Sequence, residues 1–181
     1  MSSALIGLGS NLGDRIHYLR RACEQLDTHP AVHVVAVSSL YETPPVGPPQ
    51  GTYLNACVRI ETSLSPFGLL RLCQGIERAG KRKRTVHWGP RTIDLDLLDF
   101  DGRVIDTPQL RLPHPGIVDR MFVLGPLADV APEWRHPVTG LSVSDAIACI
   151  RPTSEPIAVV ALANNWCRIR TKTIVDRLSM E

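Results

Sequence analysis

The sequence predicts an α+β domain built on a largely antiparallel sheet, and three observations carry that reading. Strand-like and helix-like segments follow one another as β-α-β-β-α-β. The middle strands are joined by a connection too short for a crossover helix. The 181 residues, 44% hydrophobic and 21% charged, suffice for one buried core without staples. A formal charge of +2 is too small to mark a nucleic-acid binder, so any basic effect is local.

The first element, "SALIGLG", is a short apolar run ending in glycine and reads as a buried strand. "SNLGDRIHYLRRACEQLDTH" follows as a helix capped by Ser10 or Asn11, with Ile16, Leu19, Cys23 and Leu26 at helical spacing. His29-Pro30 ends it, because a residue before proline avoids the helical region. "VHVVAVSSLYET" alternates as a strand, and "PPVGPPQG" is a stiff loop with four prolines and two glycines.

In "TYLNACVRIET" Tyr53, Asn55, Cys57 and Arg59 share one face, and Leu54, Ala56, Val58 and Ile60 the other. Ser65-Pro66 starts a second helix with Phe67, Leu70, Cys73 (or Gln74) and Glu77 along one side. A charged loop, "GKRKRTVHWGPR", leads into the strand "TIDLDLLDF" and a turn at Asp101-Gly102. "LPHPG" is a rigid turn, "IVDRMFVLGPLADVAP" a helix interrupted or restarted by Pro126, and "LSVSDAIACI" a short last helix. The expected main domain is residues 1–150. Residues 151–181 are expected to form an extension packed on it, with an extra strand in "IAVVALA" and an amphipathic piece in "TIVDRLSM".

The N-terminus lacks the basic region of a signal peptide, and no run approaches the ~20 apolar residues of a membrane span. Five cysteines, at 23, 57, 73, 149 and 167, show no C-x-x-C and no zinc spacing. They read as reduced thiols of a cytoplasmic protein.

The chemistry concentrates in "WGPRTIDLDLLDF". Alternation puts Asp94 and Asp96 on one face, about 7 Å apart along the strand, and Ile93, Leu95 and Leu97 on the other. Their mutual repulsion is relieved by a divalent cation, and oxygen-only ligands suit Mg²⁺, which fills its other positions with water and phosphates. A solvated edge strand has the same pattern, and the neighbourhood favours the metal. Lys81, Arg82, Lys83 and Arg84 are placed to neutralise a polyphosphate, and Arg91 can fork onto the same phosphates. Asp99 falls on the apolar side by alternation and is expected at an exposed strand end. Asn55 can read the edge of a heterocycle through its paired donor and acceptor, or be satisfied by backbone. "GLGSNLG" has the wrong spacing for a dinucleotide loop, and no P-loop motif occurs.

"IGLGSNLGD", "SSLYETPPVGP", "YLNACVRIET", "WGPRTIDLDLL" and "LPHPGIVDRMFVLGPLADVAP" occur in an order and spacing that resemble the 6-hydroxymethyl-7,8-dihydropterin pyrophosphokinase family of folate biosynthesis. The resemblance spans Ala4 to Ile150. It implies a ferredoxin-like α+β fold and transfer of the diphosphate of ATP to the pterin's hydroxymethyl group, releasing AMP. It further implies two Mg²⁺ ions on Asp94 and Asp96, and a pterin between Tyr53 and Phe122. Asn55 would read the pterin's edge, with Thr43, Pro44 and Val46 lining the pocket. Gln74, Glu77, Trp88, His114 and Arg120 match nucleotide-side positions. Lys81 and Lys83 stand where the family usually has arginines, so Arg82 or Arg84 is left to take the planar phosphate contact. Small-molecule substrates, a monomeric chain, and no nucleic-acid or membrane partner complete the expectation.

Overall fold

A computed structural model of the chain describes residues 1–45, 49–80, 89–150, 158–160 and 166–167. The elements run β1 (Ser2–Ser10), α1 (Arg15–Asp27), β2 (Val32–Val37), β3 (Leu40–Thr43), β4 (Tyr53–Thr62) and α2 (Pro66–Ala79). They continue as β5 (Asp94–Phe100), β6 (Ile105–Asp106), β7 (Arg111–Leu112), α3 (Met121–Val130), α4 (Val143–Cys149) and β8 (Ala158–Val160). The predicted β-α-β-β-α-β series is present, with its second strand broken at Ser38-Ser39 into β2 and β3. There Ser38 Oγ accepts from the Cys57 amide at 2.8 Å, and the Ser38 amide donates to the Cys57 carbonyl at 2.9 Å.

The main sheet has the order β5-β1-β4-β3-β8, with β2 also on β4, and every pairing is antiparallel. It is the ferredoxin-like α+β arrangement expected from the sequence. β1 lies between β4 and β5, where both of its faces can be covered.

Helix starts follow local chemistry. Asp14, rather than Ser10 or Asn11, caps α1 by accepting from the His17 amide at 3.0 Å, after Gly13 turns the chain at φ 71°. Ser65 caps α2 ahead of Pro66, as the sequence indicates. The inward stripe of α2 is Leu69, Cys73 and Ile76 with Glu77, while Phe67 stays exposed. Pro126 sits inside α3, and Ser142 caps α4. Asp101 (φ 51°) and Gly102 (φ 64°) form the tight turn after β5, closed by the Arg103 amide on the Phe100 carbonyl.

Helices cover both faces. α1 and α2 pack on Ala4, Ile6 and Leu8 of β1, Leu54, Ala56, Val58 and Ile60 of β4, and Leu95 and Leu97 of β5. α3 and α4 pack on Leu5, Cys57 and Leu98. Each fully buried leucine or isoleucine contributes about 1.5–3 kcal/mol.

One expectation fails on β5. Ile6 pairs with Leu97 but Leu5 pairs with Asp99, so Leu98 is an extra residue in the ladder. The bulge rotates Asp99 onto the face of Leu5, where it is 5% exposed, not at a solvated strand end. Burial raises its carboxyl pKa, opposed by the Gly102 amide and by Trp134.

Near the C-terminus, β8 adds to the outer edge of β3, pairing Leu40 with Val160 and Glu42 with Ala158. This is the extra strand expected in "IAVVALA". The expected piece "TIVDRLSM" lies outside the described residues. No helix among the described residues is long and apolar enough to cross a membrane.

Candidate active site

The register of three strands builds the site. Gly9 stands opposite Asn55 on β4 and Asp94 on β5, and Gly7 opposite Cys57 and Asp96. Directly opposed residues share a face. Two rows therefore cross the sheet, Asp94-Gly9-Asn55 and Asp96-Gly7-Cys57, each with no side chain at its centre. A Cβ at Gly9 would lie 3.3 Å from Asn55 Oδ1, and one at Gly7 would lie 3.4 Å from Leu98 Cδ2. The two glycines leave a trough floored by backbone.

The start of α3 roofs this trough. Phe122, Val123 and Arg120 face it, Tyr53, Thr43 and Pro44 close one end, and Asp94, Asp96 and Arg91 the other. The cleft has a volume of about 240 Å³. Its ends differ chemically. One is aromatic and amide-lined, the other charged.

At the first end Asn55 is buried, and its Nδ2 donates to Thr43 Oγ1 at 2.8 Å. That bond sets the amide orientation, leaving Oδ1 over Gly9. The Arg120 guanidinium lies over the Phe122 ring at 5.8 Å, a cation–π contact that aligns both.

At the charged end Arg91 forms an ion pair with Asp94. Burial works against the Arg91 charge, but Asp94 outweighs it and holds the pKa above the ordinary value. The backbone of Arg91 is fixed from both sides, since its amide donates to Asn11 Oδ1 (2.8 Å) and its carbonyl accepts from the Asn11 amide (3.1 Å). Ser10 Oγ donates to the Thr92 carbonyl at 2.6 Å, and Thr92 Oγ1 to the Gly80 carbonyl at 2.7 Å. The end of β1 and the end of α2 thus both pin the entry to β5.

Behind β5, Glu77 of α2 is buried, and its Oε1 accepts from the Leu95 amide at 3.0 Å. Among the described residues β5 is the outermost strand on this side, and an amide left there without a partner costs about 1–3 kcal/mol. Glu77 thereby fixes the backbone between the two aspartates.

The cleft gathers Thr43, Pro44, Tyr53, Asn55, Arg91, Asp94, Asp96, Arg120 and Phe122. Gln74 is exposed on α2, Glu77 lies behind the strand, and His114 lies off the cleft with Nδ1 accepting from the Gly116 amide at 3.1 Å. Val46, Lys81, Arg82, Lys83, Arg84 and Trp88 lie outside the described residues. Sequence reasoning missed Gly7, Gly9, Cys57, Leu98 and Val123. Glycines two apart within a strand were the available signal for the first two.

A family model described as 7,8-dihydro-6-hydroxymethylpterin-pyrophosphokinase matches residues 5–132, which include every residue lining the cleft. The chain belongs to this family. It is an enzyme, a pyrophosphokinase. It is 53% identical over 137 residues to the 2-amino-4-hydroxy-6-hydroxymethyldihydropteridine pyrophosphokinase of Bacillus subtilis, covering 75% of this chain and 82% of that one. A relative of the same name from Methylorubrum extorquens is 44% identical over 154 residues, covering 84% and 96%. Among solved structures, wild-type HPPK-DHPS of Plasmodium falciparum superposes with a TM-score of 0.63 over 81% of this chain and 44% of that one. At 16% identity that likeness speaks for the fold alone.

Proposed function

We propose that this enzyme transfers the terminal diphosphate of ATP to the hydroxymethyl group of 6-hydroxymethyl-7,8-dihydropterin, releasing AMP. The observation that carries the reading is the pair of cross-strand rows. They set a buried, oriented amide at one end of a glycine trough and two carboxylates at the other. A planar heterocycle and a polyphosphate need those two ends.

Asn55, with one N–H committed to Thr43, presents its remaining polar edge to the heterocycle, and Tyr53 and Phe122 offer faces for stacking. Arg91 supplies fixed positive charge beside the aspartates, and Arg120 adds charge from the roof over Phe122. Lys81, Arg82, Lys83, Arg84, Trp88, Gln74 and His114 are proposed on sequence grounds as nucleotide-side groups, and Glu77 as the residue that holds β5 in place behind them.

Asp94 and Asp96 fit Mg²⁺. They are carboxylates on one strand face, and both line the cleft. That suits an ion taking only one or two protein carboxylates, with water and phosphate oxygens completing its shell. When bound, Mg²⁺ supplies charge neutralisation on the transferring group and its leaving oxygen. The protein's share is positioning. The pinned entry to β5 and the Glu77 bond keep both carboxylates aimed into the cleft, and the roof of α3 limits water there.

The test is to mix the protein with ATP, Mg²⁺ and the hydroxymethyl-dihydropterin and to measure AMP. AMP and pterin diphosphate in equal amounts are expected. Formation of ADP would replace the reading with single-phosphoryl transfer. Pterin binding with no nucleotide turnover would replace catalysis with binding.

A further inference from the structure

On the α1 side of the sheet, away from the cleft, two thiols meet. Cys23 of α1 is fully buried, and Cys167 lies near enough that each thiol shifts the pKa of the other. Cys167 is only half-buried and packs against the core that contains Cys23. Two bonds hold the residue just before it. The Trp166 indole N–H donates to the Ser38 carbonyl at 2.8 Å, and Arg20 Nε donates to the Trp166 carbonyl at 2.8 Å. Arg20 lies one helical turn before Cys23. The Trp166 side chain is itself buried at 4% exposure. These anchors bring Cys167 to the part of α1 that carries Cys23, joining elements far apart in sequence.

We propose that Cys23 and Cys167 form a reversible disulfide that fastens the Trp166–Cys167 segment to α1, with a low-molecular-weight disulfide as oxidant. The accessible Cys167 thiolate attacks one sulfur of that oxidant, breaking its S–S bond and releasing one thiolate, which takes up the proton Cys167 lost. Cys23 then gives up its proton and attacks Cys167 Sγ in the mixed disulfide, expelling the second thiolate, which is protonated in turn. Two protein thiols are oxidised by two electrons, and the oxidant is reduced to two thiols. The electrostatics agree with this order. The interaction between the two thiols lowers the Cys167 pKa and raises that of Cys23, which burial raises further. Arg20 favours the Cys167 thiolate, while burial, Glu24 and Asp27 oppose it. The other thiols differ in kind. Burial pushes Cys57 and Cys73 up to about 12, and Cys149 is exposed.

Full-length protein is treated with oxidised glutathione and digested without reduction, and its peptides are mapped by mass. A peptide pair linking Cys23 to Cys167 is expected, formed in Cys149→Ser, absent in Cys167→Ser and removed by dithiothreitol. The oxidised wild type should melt about 5 °C higher than the reduced form, since the bridge closes a long loop. In Cys23→Ser, Cys167 should stop at the glutathione adduct. The proposal is overturned if wild-type Cys167 also stops at that adduct. It is equally overturned if Cys149 is modified in folded protein while Cys23 and Cys167 remain thiols.

Discussion

On the α1/α2 side of the sheet, β1, β4 and β5 present Ala4, Ile6, Leu8, Leu54, Ala56, Val58, Ile60, Leu95 and Leu97, none more than 4% exposed. On the α3 side the same strands present Gly7, Gly9, Asn55, Asp94 and Asp96 at one end and Leu5, Cys57 and Leu98 at the other. The first face is uniformly apolar and adds stability. The second is split, and its polar half is the cleft. A strand's two-residue period lets one backbone serve both purposes, because successive side chains point to opposite faces. The rigid apolar face is what permits the charged one.

That contrast can be broken at either face. Asp94→Asn and Asp96→Asn should each lower the rate of AMP formation by roughly 10³-fold with the melting temperature nearly unchanged, checked by kinetics beside calorimetry. A variant of either aspartate that keeps its full rate would remove that residue from the site. Leu97→Ala, one residue away on the opposite face, should do the reverse. It should cost about 2–5 kcal/mol in urea unfolding while activity per folded molecule persists.

Gly9→Ala is a finer probe. Its Cβ would meet Asn55 Oδ1 at 3.3 Å and displace the amide, so KM for the pterin should rise about 10-fold, with the KM for ATP changed little. Asn55→Ala should raise the same constant by at least as much, because it removes the amide altogether.

The smallest effect concerns Asp99. Burial raises its folded-state pKa, so the folded protein holds that proton more tightly than the unfolded chain. The associated stability is present below the unfolded value of about 4 and is lost as pH rises through the folded value. Asp99→Asn should abolish that slope and stabilise the protein near neutrality by no more than about 1 kcal/mol, read from unfolding midpoints across pH.

Much of this was legible from local pattern. The alternation in "TIDLDLL" places Asp94 and Asp96 together opposite Leu95 and Leu97, and "YLNACVRI" places Tyr53 and Asn55 opposite Leu54 and Ala56. Both hold, since alternation needs only an extended backbone. Asp99 was misplaced by the same rule, because the bulge at Leu98 arises from pairing with β1 and leaves no mark in the strand's own residues. The spacing in "GLGSNLG" does not fit a dinucleotide loop, and its first two glycines floor the cleft. Their purpose shows only when Asn55 and Asp94 stand on either side of Gly9. Glu77 was selected as a nucleotide-side position, whereas its visible bond is to the backbone between the aspartates.

What the sequence determined by itself was the fold class, the extended and helical segments, and which side chains share a strand face, because these depend on neighbours a few residues away. Only the tertiary structure decided which strands lie together and in what register. It thereby decided that two glycines separate an amide from two carboxylates, that Asp99 is buried, and that Cys167 packs on the core containing Cys23. Register is a property of paired strands, set by the packing of whole faces against helices, and no single segment contains it.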